Sequence, residues 1–276
     1  YNNLDKLNII SKNSINLFKI KYSVENQISY ANNLMNKIDS LNLPEVTKKS
    51  NICIINFSKQ NNHKKILNFF DEVNNNYFYE LISVSNENLK INERITILKG
   101  NNNYEFQVYN QVINYIFDNN LINKYSHFII INDTFYKNGK IKSLININYD
   151  VINEFFNNNN VYGVIDTLNK DFKLDNFIFR DWIRTNFIVI PQNILYLLKD
   201  NLIKFNISNT FDNDKNIKIY CDTELFNFIK KWLSIKENNI KNFEILVNIC
   251  HIFNQYYLTH VLRSKNINII KMRNYL

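Results

Sequence analysis

Asn132-Asp133-Thr134 follows the apolar run Phe128-Ile129-Ile130-Ile131 without a spacer. A run that short and that apolar reads as a strand buried on both faces, so its end delivers Asp133 to the edge of a sheet. A carboxylate there can hold Mg²⁺ or Mn²⁺ through oxygen while the cation neutralises a diphosphate. An Asp in this place can equally cap a turn or a helix, and the spacing leaves both readings open. The second cluster is Arg180-Asp181-Trp182-Ile183-Arg184-Thr185, in a chain with only five Arg. On a helix or turn Arg180 and Arg184 share a face and can fork onto phosphate. They can equally pair with carboxylates such as Asp175 or Asp181. The third cluster is Gly100-Asn101-Asn102-Asn103-Tyr104-Glu105-Phe106. A loop feeding a helix N-terminus there offers unpaired N–H groups to an anion, although Glu105 would also suit the helix dipole with no ligand at all. His63, His127, His251 and His260 show no ligand-like spacing, and no GxSxG, HExxH or CxxC pattern is present.

These residues need elements to position them. Ile52 to Phe57, Phe78 to Val84, Ile95 to Leu98 and Phe128 to Ile131 read as strands, with Ser58 opening the turn after the first. Val161 to Ile165 and Asn186 to Ile190 add two more, and Ile267 to Ile270 a possible last one. Helical stripes fall at Ile66 to Val73, Tyr104 to Phe117, Pro191 to Leu198, Leu225 to Leu233 and Phe243 to Leu262. Alternation of this kind predicts right-handed crossovers, an α/β class and a mainly parallel sheet flanked by helices. Ligands bind such sheets beyond the C-terminal strand ends. That rule selects Asn56-Phe57-Ser58, Gly100-Asn101, Asn132-Asp133-Thr134 and Asp166-Thr167. Residues 1–48 carry apolar positions at helical spacing up to Pro44 and read as a helical extension.

The chain has 276 residues, 45% of them hydrophobic and 21% charged, which is globular rather than disordered composition. Three Gly exclude a P-loop and a GxGxxG turn. No apolar run is long enough to span a bilayer, and the first residues lack the order of a signal peptide, so a cytoplasmic location is expected. Cys53, Cys221 and Cys250 are odd in number, far apart and set among apolar residues, as reduced core thiols would be. About a fifth of the chain is Asn, with Ile, Lys, Tyr and Phe also abundant, a skew that follows codon drift towards A and T. The net charge of +8 is therefore a weak pointer to nucleic acid, and Lys is spread along the chain without a basic block.

The three clusters, in this order, resemble those of bacterial glycosyltransferases of the rhamnan-synthesis and O-antigen type. The shared pattern is a Gly-Asn loop before Glu-Phe (Gly100-Asn101 and Glu105-Phe106), then an apolar strand ending in Asn-Asp-Thr (Asn132 to Thr134). A Gly-Val-Thr-Asp-like strand follows as Gly163-Val164-Ile165-Asp166. An aromatic-rich segment leads into the next strand as Trp182 to Phe187. A late helix carries Tyr256-Tyr257 and Arg263. The likeness spans about residues 50–270. It implies a GT-A-like, Rossmann-like domain over 49–276, with 49–135 the nucleotide-binding half and 136–276 the acceptor half. It implies transfer of a sugar from a nucleotide-diphosphate donor to a glycan acceptor, such as a cell-surface polysaccharide. In that reading Ser58, Asn101, Glu105, Asn132, Asp133, Arg180 and Arg184 surround the donor, and Asp166 or Asp181 serves as base. Asp133 is the metal ligand, for Mn²⁺ or Mg²⁺, although the usual Asp-any-Asp motif is incomplete here because Asn132 precedes it. A non-catalytic glycan- or nucleotide-binding member of the same fold is the alternative. Nucleic acid is not an expected partner, although +8 and seventeen Tyr keep a nucleic-acid-binding protein as a further alternative. Peripheral membrane contact is compatible with the absence of a spanning run.

Overall fold

In Asn51–Phe57, β1, odd and even positions pack into two different cores, which is why the strand reads as a continuous apolar run rather than an alternating one. The computed structural model describes residues 11–14, 51–58, 62–86, 93–100, 104–137, 149–235 and 242–272. The chain divides into two units, Tyr1–Lys48 and Lys49–Leu276. Within the first, residues 11–14 form a helical turn, and the rest of the expected helical extension lies outside the described residues.

The second unit begins with β1, α1 (His63–Val73), β2 (Phe78–Ser85), β3 (Ile95–Lys99), α2 (Glu105–Asp118), β4 (His127–Asn132) and α3 (Thr134–Lys137). It continues with α4 (Tyr149–Phe156), β5 (Val161–Leu174), β6 (Phe177–Pro191), α5 (Gln192–Leu198) and α6 (Ile207–Thr210). It closes with α7 (Thr223–Trp232), α8 (Phe243–Ser264) and β7 (Ile269–Lys271). The seven strands form one sheet in the order β3-β2-β1-β4-β6-β5-β7. β1, β2, β3 and β4 run parallel to one another, and β7 runs parallel to β5. β6 is reversed against both β4 and β5. The protein is thus an α/β structure with a mainly parallel sheet flanked by helices.

The reversal has a local cause. β5 and β6 are joined through Asp175 and Asn176 alone, and Asp175 takes φ 53°. A two-residue turn of this hand matches the twist of a hairpin, and hairpin strands must be antiparallel. Both strands run far beyond the segments expected for them, 14 and 15 residues long. Gly163 leaves room for the Ile183 side chain of β6, because a Cβ there would lie 2.5 Å from Ile183 Cδ1. The register slips between Gly163 and Ile165, and again between Thr167 and Phe172.

Three cores result. Cys53, Ile55, Phe128 and Ile130 face Val112 and Ile113 of α2 and Leu258 and Leu262 of α8 on one side of the sheet. Ile52, Ile54, Ile129 and Ile131 face Ile66, Leu67 and Phe70 of α1 on the other. The distal hairpin forms a third with α7 and the first half of α8, through Phe177, Phe179, Trp182, Leu225, Ile229, Phe253 and Tyr256. Each fully buried Ile or Leu contributes about 1.5–3 kcal/mol, so each face anchors its helices independently of the other.

Candidate active site

The C-terminal edge of the parallel strands collects polar residues that a core would otherwise exclude. At the end of β1, Asn56 is fully buried and Ser58 nearly so. The Asn56 backbone carbonyl accepts from Ser83 Oγ at 2.7 Å. Asn56 Nδ2 lies 3.1 Å from His63 Nδ1, and since an amide nitrogen only donates, Nδ1 is the accepting nitrogen. Burial pushes the His63 imidazole down to about 4, which keeps that nitrogen unprotonated. Asn56 Oδ1 is buried without a hydrogen-bond partner among the described residues. β1 is the strand from which the chain leaves to one side for β2 and later returns on the other as β4, the switch point where ligands enter such sheets.

Acidification tests the burial of His63. An unfolded imidazole takes its proton near pH 6.5, whereas the folded one refuses it until about pH 4. Stability is expected to fall as the pH drops through that window, by on the order of 3 kcal/mol. His63→Gln should flatten much of this slope in urea unfolding measured between pH 7 and pH 4.5, and an unchanged slope would refute the assignment.

At the end of β4 the arrangement is denser. Glu105, the first residue of α2, is 8% exposed and accepts from Tyr109 Oη at 2.9 Å and from Asn132 Nδ2 at 3.1 Å. Thr185 hydrogen-bonds the same carboxylate. Burial holds the Glu105 carboxyl above the usual range and the charge on Asp133 pushes the same way, against the pull of the three hydrogen bonds. Asn132 is spent on both sides, because its Oδ1 accepts from Thr134 N at 3.0 Å and from Thr134 Oγ1 at 2.5 Å. The chain Glu105–Asn132–Thr134 therefore fixes the turn that carries Asp133, and Asp133 itself is half-buried.

β6 contributes next. Ile131 pairs with Phe187, so Thr185 and Asn186 fall beside the Asn132–Asp133 end. Thr185 Oγ1 accepts from Gln255 Nε2 of α8 at 3.1 Å. Asn186 Oδ1 and Gln255 Oε1 are buried with no hydrogen-bond partner among the described residues. Buried amide oxygens left this way carry a cost that a bound hydrogen-bond donor would relieve.

The charged pairs lie farther along the hairpin. Arg184 Nε bonds Asp166 Oδ2, and its guanidinium carbon sits 5.9 Å from the centre of the Trp232 ring. Among the described residues no acceptor takes up its two terminal nitrogens. Asp181 Oδ2 accepts from Arg263 Nη2 at 2.8 Å, and its buried Oδ1 lies 2.5 Å from Arg263 Nη1 without a hydrogen bond among the described residues. Arg180 and Arg184 lie on a strand, which corrects the expectation of a helix or turn. Four residues of extended chain separate them by about 13 Å, and Arg180 is exposed on the distal part of β6.

The structure thus brings Glu105, Asn132 and Asp133 together, with Asp166 and Arg184 as a joined pair and Asp181 tied to α8. Asn101 lies outside the described residues. Tyr109, Thr185, Asn186 and Gln255 were not among the sequence candidates. Tyr109 alone had a signal, being one helical turn after Glu105. The cysteines form no disulfide, and burial pushes Cys221 up to about 12 and Cys250 to about 11, away from nucleophilic use. Among the described residues no group of three or more His, Cys, Asp or Glu is placed to hold a metal ion, and no helix is long and apolar enough to cross a membrane. No protein-family model and no curated protein matches this chain.

Proposed function

We propose that the chain is a glycosyltransferase of GT-A-like fold that moves a sugar from a nucleotide-diphosphate donor to a glycan acceptor. The observation that carries the reading is the convergence on one sheet edge of a switch point lined by Asn56 and Ser58, a braced Asp133 turn, and the Asp166–Arg184 pair. The nucleotide enters at the β1–β4 switch point, beside the buried and unsatisfied Asn56 Oδ1. The diphosphate falls between Asp133 and Arg184. The sugar carbon passes through an oxocarbenium-like state, and the departing diphosphate needs positive charge aimed at it. The free terminal nitrogens of Arg184 supply part of that charge in fork geometry. Asp166 takes the acceptor hydroxyl proton, because its pair with Arg184 engages Oδ2 and leaves Oδ1 open. Asp181 suits the role less well, since its Oδ2 is bonded by Arg263 and its Oδ1 is buried against the same guanidinium. It anchors the hairpin to α8 instead.

A divalent cation fits this edge only in company. Glu105 Oε1 and Asn132 Oδ1 are spent on internal hydrogen bonds, and Thr185 bonds the same buried Glu105 carboxylate, which leaves Asp133 as the more accessible carboxylate for a ligand. Mg²⁺ takes one or two carboxylates and fills its remaining positions with phosphate oxygens and water. Asp133 would hold a cation that arrives with the nucleotide, and the cation would neutralise the leaving diphosphate.

A thermal-shift panel of UDP, GDP, CDP and dTDP, each with and without Mn²⁺, tests the reading. One nucleotide at about a hundredfold excess over its Kd is expected to raise the melting temperature by roughly 5 °C. Mn²⁺ alone should do nothing, and Mn²⁺ with that nucleotide should do more than the nucleotide alone. No response to any nucleotide would overturn the assignment. The engagement of both candidate bases in ion pairs favours a second reading, a non-catalytic member of the fold, which would bind the nucleotide and its sugar without releasing either.

A further inference from the structure

A cavity of about 410 Å³ opens between the N-terminus of α2, the 203–208 segment and the first half of α8. Its size is within the range of small-molecule sites. Tyr104, Phe106, Phe243 and His251 rim it, with Asn206 and Ser208 among its polar lining. The described residues lining it include no Asp, Glu, Lys or Arg, so no charged side chain there answers a phosphate, a carboxylate or a cation. The walls are built rather than incidental. Asn254 Oδ1 accepts from Lys204 N at 3.0 Å and Phe205 N at 2.9 Å, and its Nδ2 donates to Phe205 O at 2.8 Å. That amide locks the 203–208 wall to α8.

The rings decide between neutral ligands. Tyr104 meets Phe243 at 61° and His251 at 77°, and Phe106 meets His251 at 51°. These neighbouring rings do not lie parallel, so they make no slot for a flat base. They present faces and edges on several sides of one space, which suits a puckered ring with C–H groups on its faces and hydroxyls around its rim. Phe243 is 55% exposed, a large apolar ring held at the mouth. The cavity also adjoins the candidate site directly. Tyr104 precedes Glu105, and the Phe106 ring packs edge-on to Tyr109, whose hydroxyl donates to Glu105.

We infer that this cavity is a subsite for an uncharged pyranose ring, the terminal sugar of the acceptor. The inference rests on the transferase reading for the word acceptor, but not for the cavity's ligand chemistry. C–H faces of the sugar lie on Tyr104, Phe243 and His251, while its hydroxyls exchange hydrogen bonds with Asn206, Ser208 and Gln107. The sheet edge then holds two separate ligands, a charged nucleotide towards β1 and a neutral ring towards α8, with the Asp133 turn between them.

Saturation-transfer NMR on the full chain tests this, with methyl glycosides of galactose, glucose, mannose, rhamnose and N-acetylglucosamine as probes and uridine, guanosine, cytidine and thymidine beside them. At least one glycoside is expected to take up saturation at its ring C–H protons. Phe243→Ala should weaken its apparent affinity about fivefold, and Ser208→Trp, at an exposed position of the lining, should abolish the signal. No signal from any glycoside, or a signal that survives Ser208→Trp, would overturn the inference. So would a nucleoside signal lost in Ser208→Trp, which would give the cavity to the base instead. The nucleotide thermal shifts of the same samples separate the two readings. A nucleotide response without glycoside binding overturns the subsite alone. Glycoside binding at the cavity without any nucleotide response upholds the pyranose site and removes the transferase.

Discussion

Asp133→Ala is expected to lower sugar transfer by about a hundredfold or more, with almost no change in melting temperature. Transfer is read as release of nucleotide from the nucleotide-sugar whose nucleotide stabilises the wild type. The two halves of the expectation come from different observations. In the proposed reading Asp133 holds the cation that offsets the phosphate charge, so its loss would remove that hold. Yet its carboxylate accepts no hydrogen bond among the described residues, and its charge works against ionisation of the neighbouring Glu105. Removing it strips little from the fold. Near-normal transfer by the variant would end the assignment of Asp133, and a large drop in melting temperature would show that the turn, not the charge, had been lost.

Glu105→Ala should do the reverse, with the larger effect on stability. The Asn132 amide, the Tyr109 hydroxyl and Thr185 all bond the Glu105 carboxylate, at a buried position. Leaving buried hydrogen-bond donors unanswered costs about 1–3 kcal/mol each. Tyr109 keeps an alternative in Ile131 O at 3.0 Å, so the sum is nearer 4 kcal/mol, roughly a 10 °C fall in melting temperature. Glu105→Gln preserves shape and separates packing from charge. Because the folded carboxyl sits above its ordinary range while the unfolded one does not, the native state binds the extra proton between those two values. Stability contributed by Glu105 is therefore greatest below about pH 4.3 and declines as the pH rises through the raised value. The sign is opposite to that of His63. A urea titration from pH 4 to pH 8 should show this decline in the wild type and lose it in Glu105→Gln; identical slopes would mean that the three hydrogen bonds offset burial fully.

How much of this could be read from residue order differs by element. β1 and β4 announce themselves because burial on both faces demands an unbroken apolar run, and Asp133 could be placed at a sheet edge for that reason alone. The helices α1, α2 and α8 follow from their stripes. The outer halves of β5 and β6 were hidden, since Asn169 to Lys173 is polar and one side of the ribbon is exposed. Arg180 to Arg184 therefore passed for a helix or turn. The hydrogen bonds around Glu105 join residues 27 and 76–80 positions apart, a relation that no local spacing carries. Thr185, Asn186 and Gln255 looked like ordinary members of an Asn-rich, polar background.

The long hairpin has a consequence for motion. Its distal half packs into a core of its own with α7 and the front of α8, while its proximal half belongs to the sheet. Ile183 marks the crossing, where its amide donates to Thr259 Oγ1 at 2.9 Å rather than to the neighbouring strand. Two cooperative units thus meet at Ile183, one cresting the sheet and one rooted in it, and they can open at different free energies. Amide exchange should be slow from Phe187 to Ile190 and faster from Phe177 to Trp182. The distal unit could then breathe and admit a bulky chain end to the edge beside it, while the buried strands β1 and β4 stayed shut.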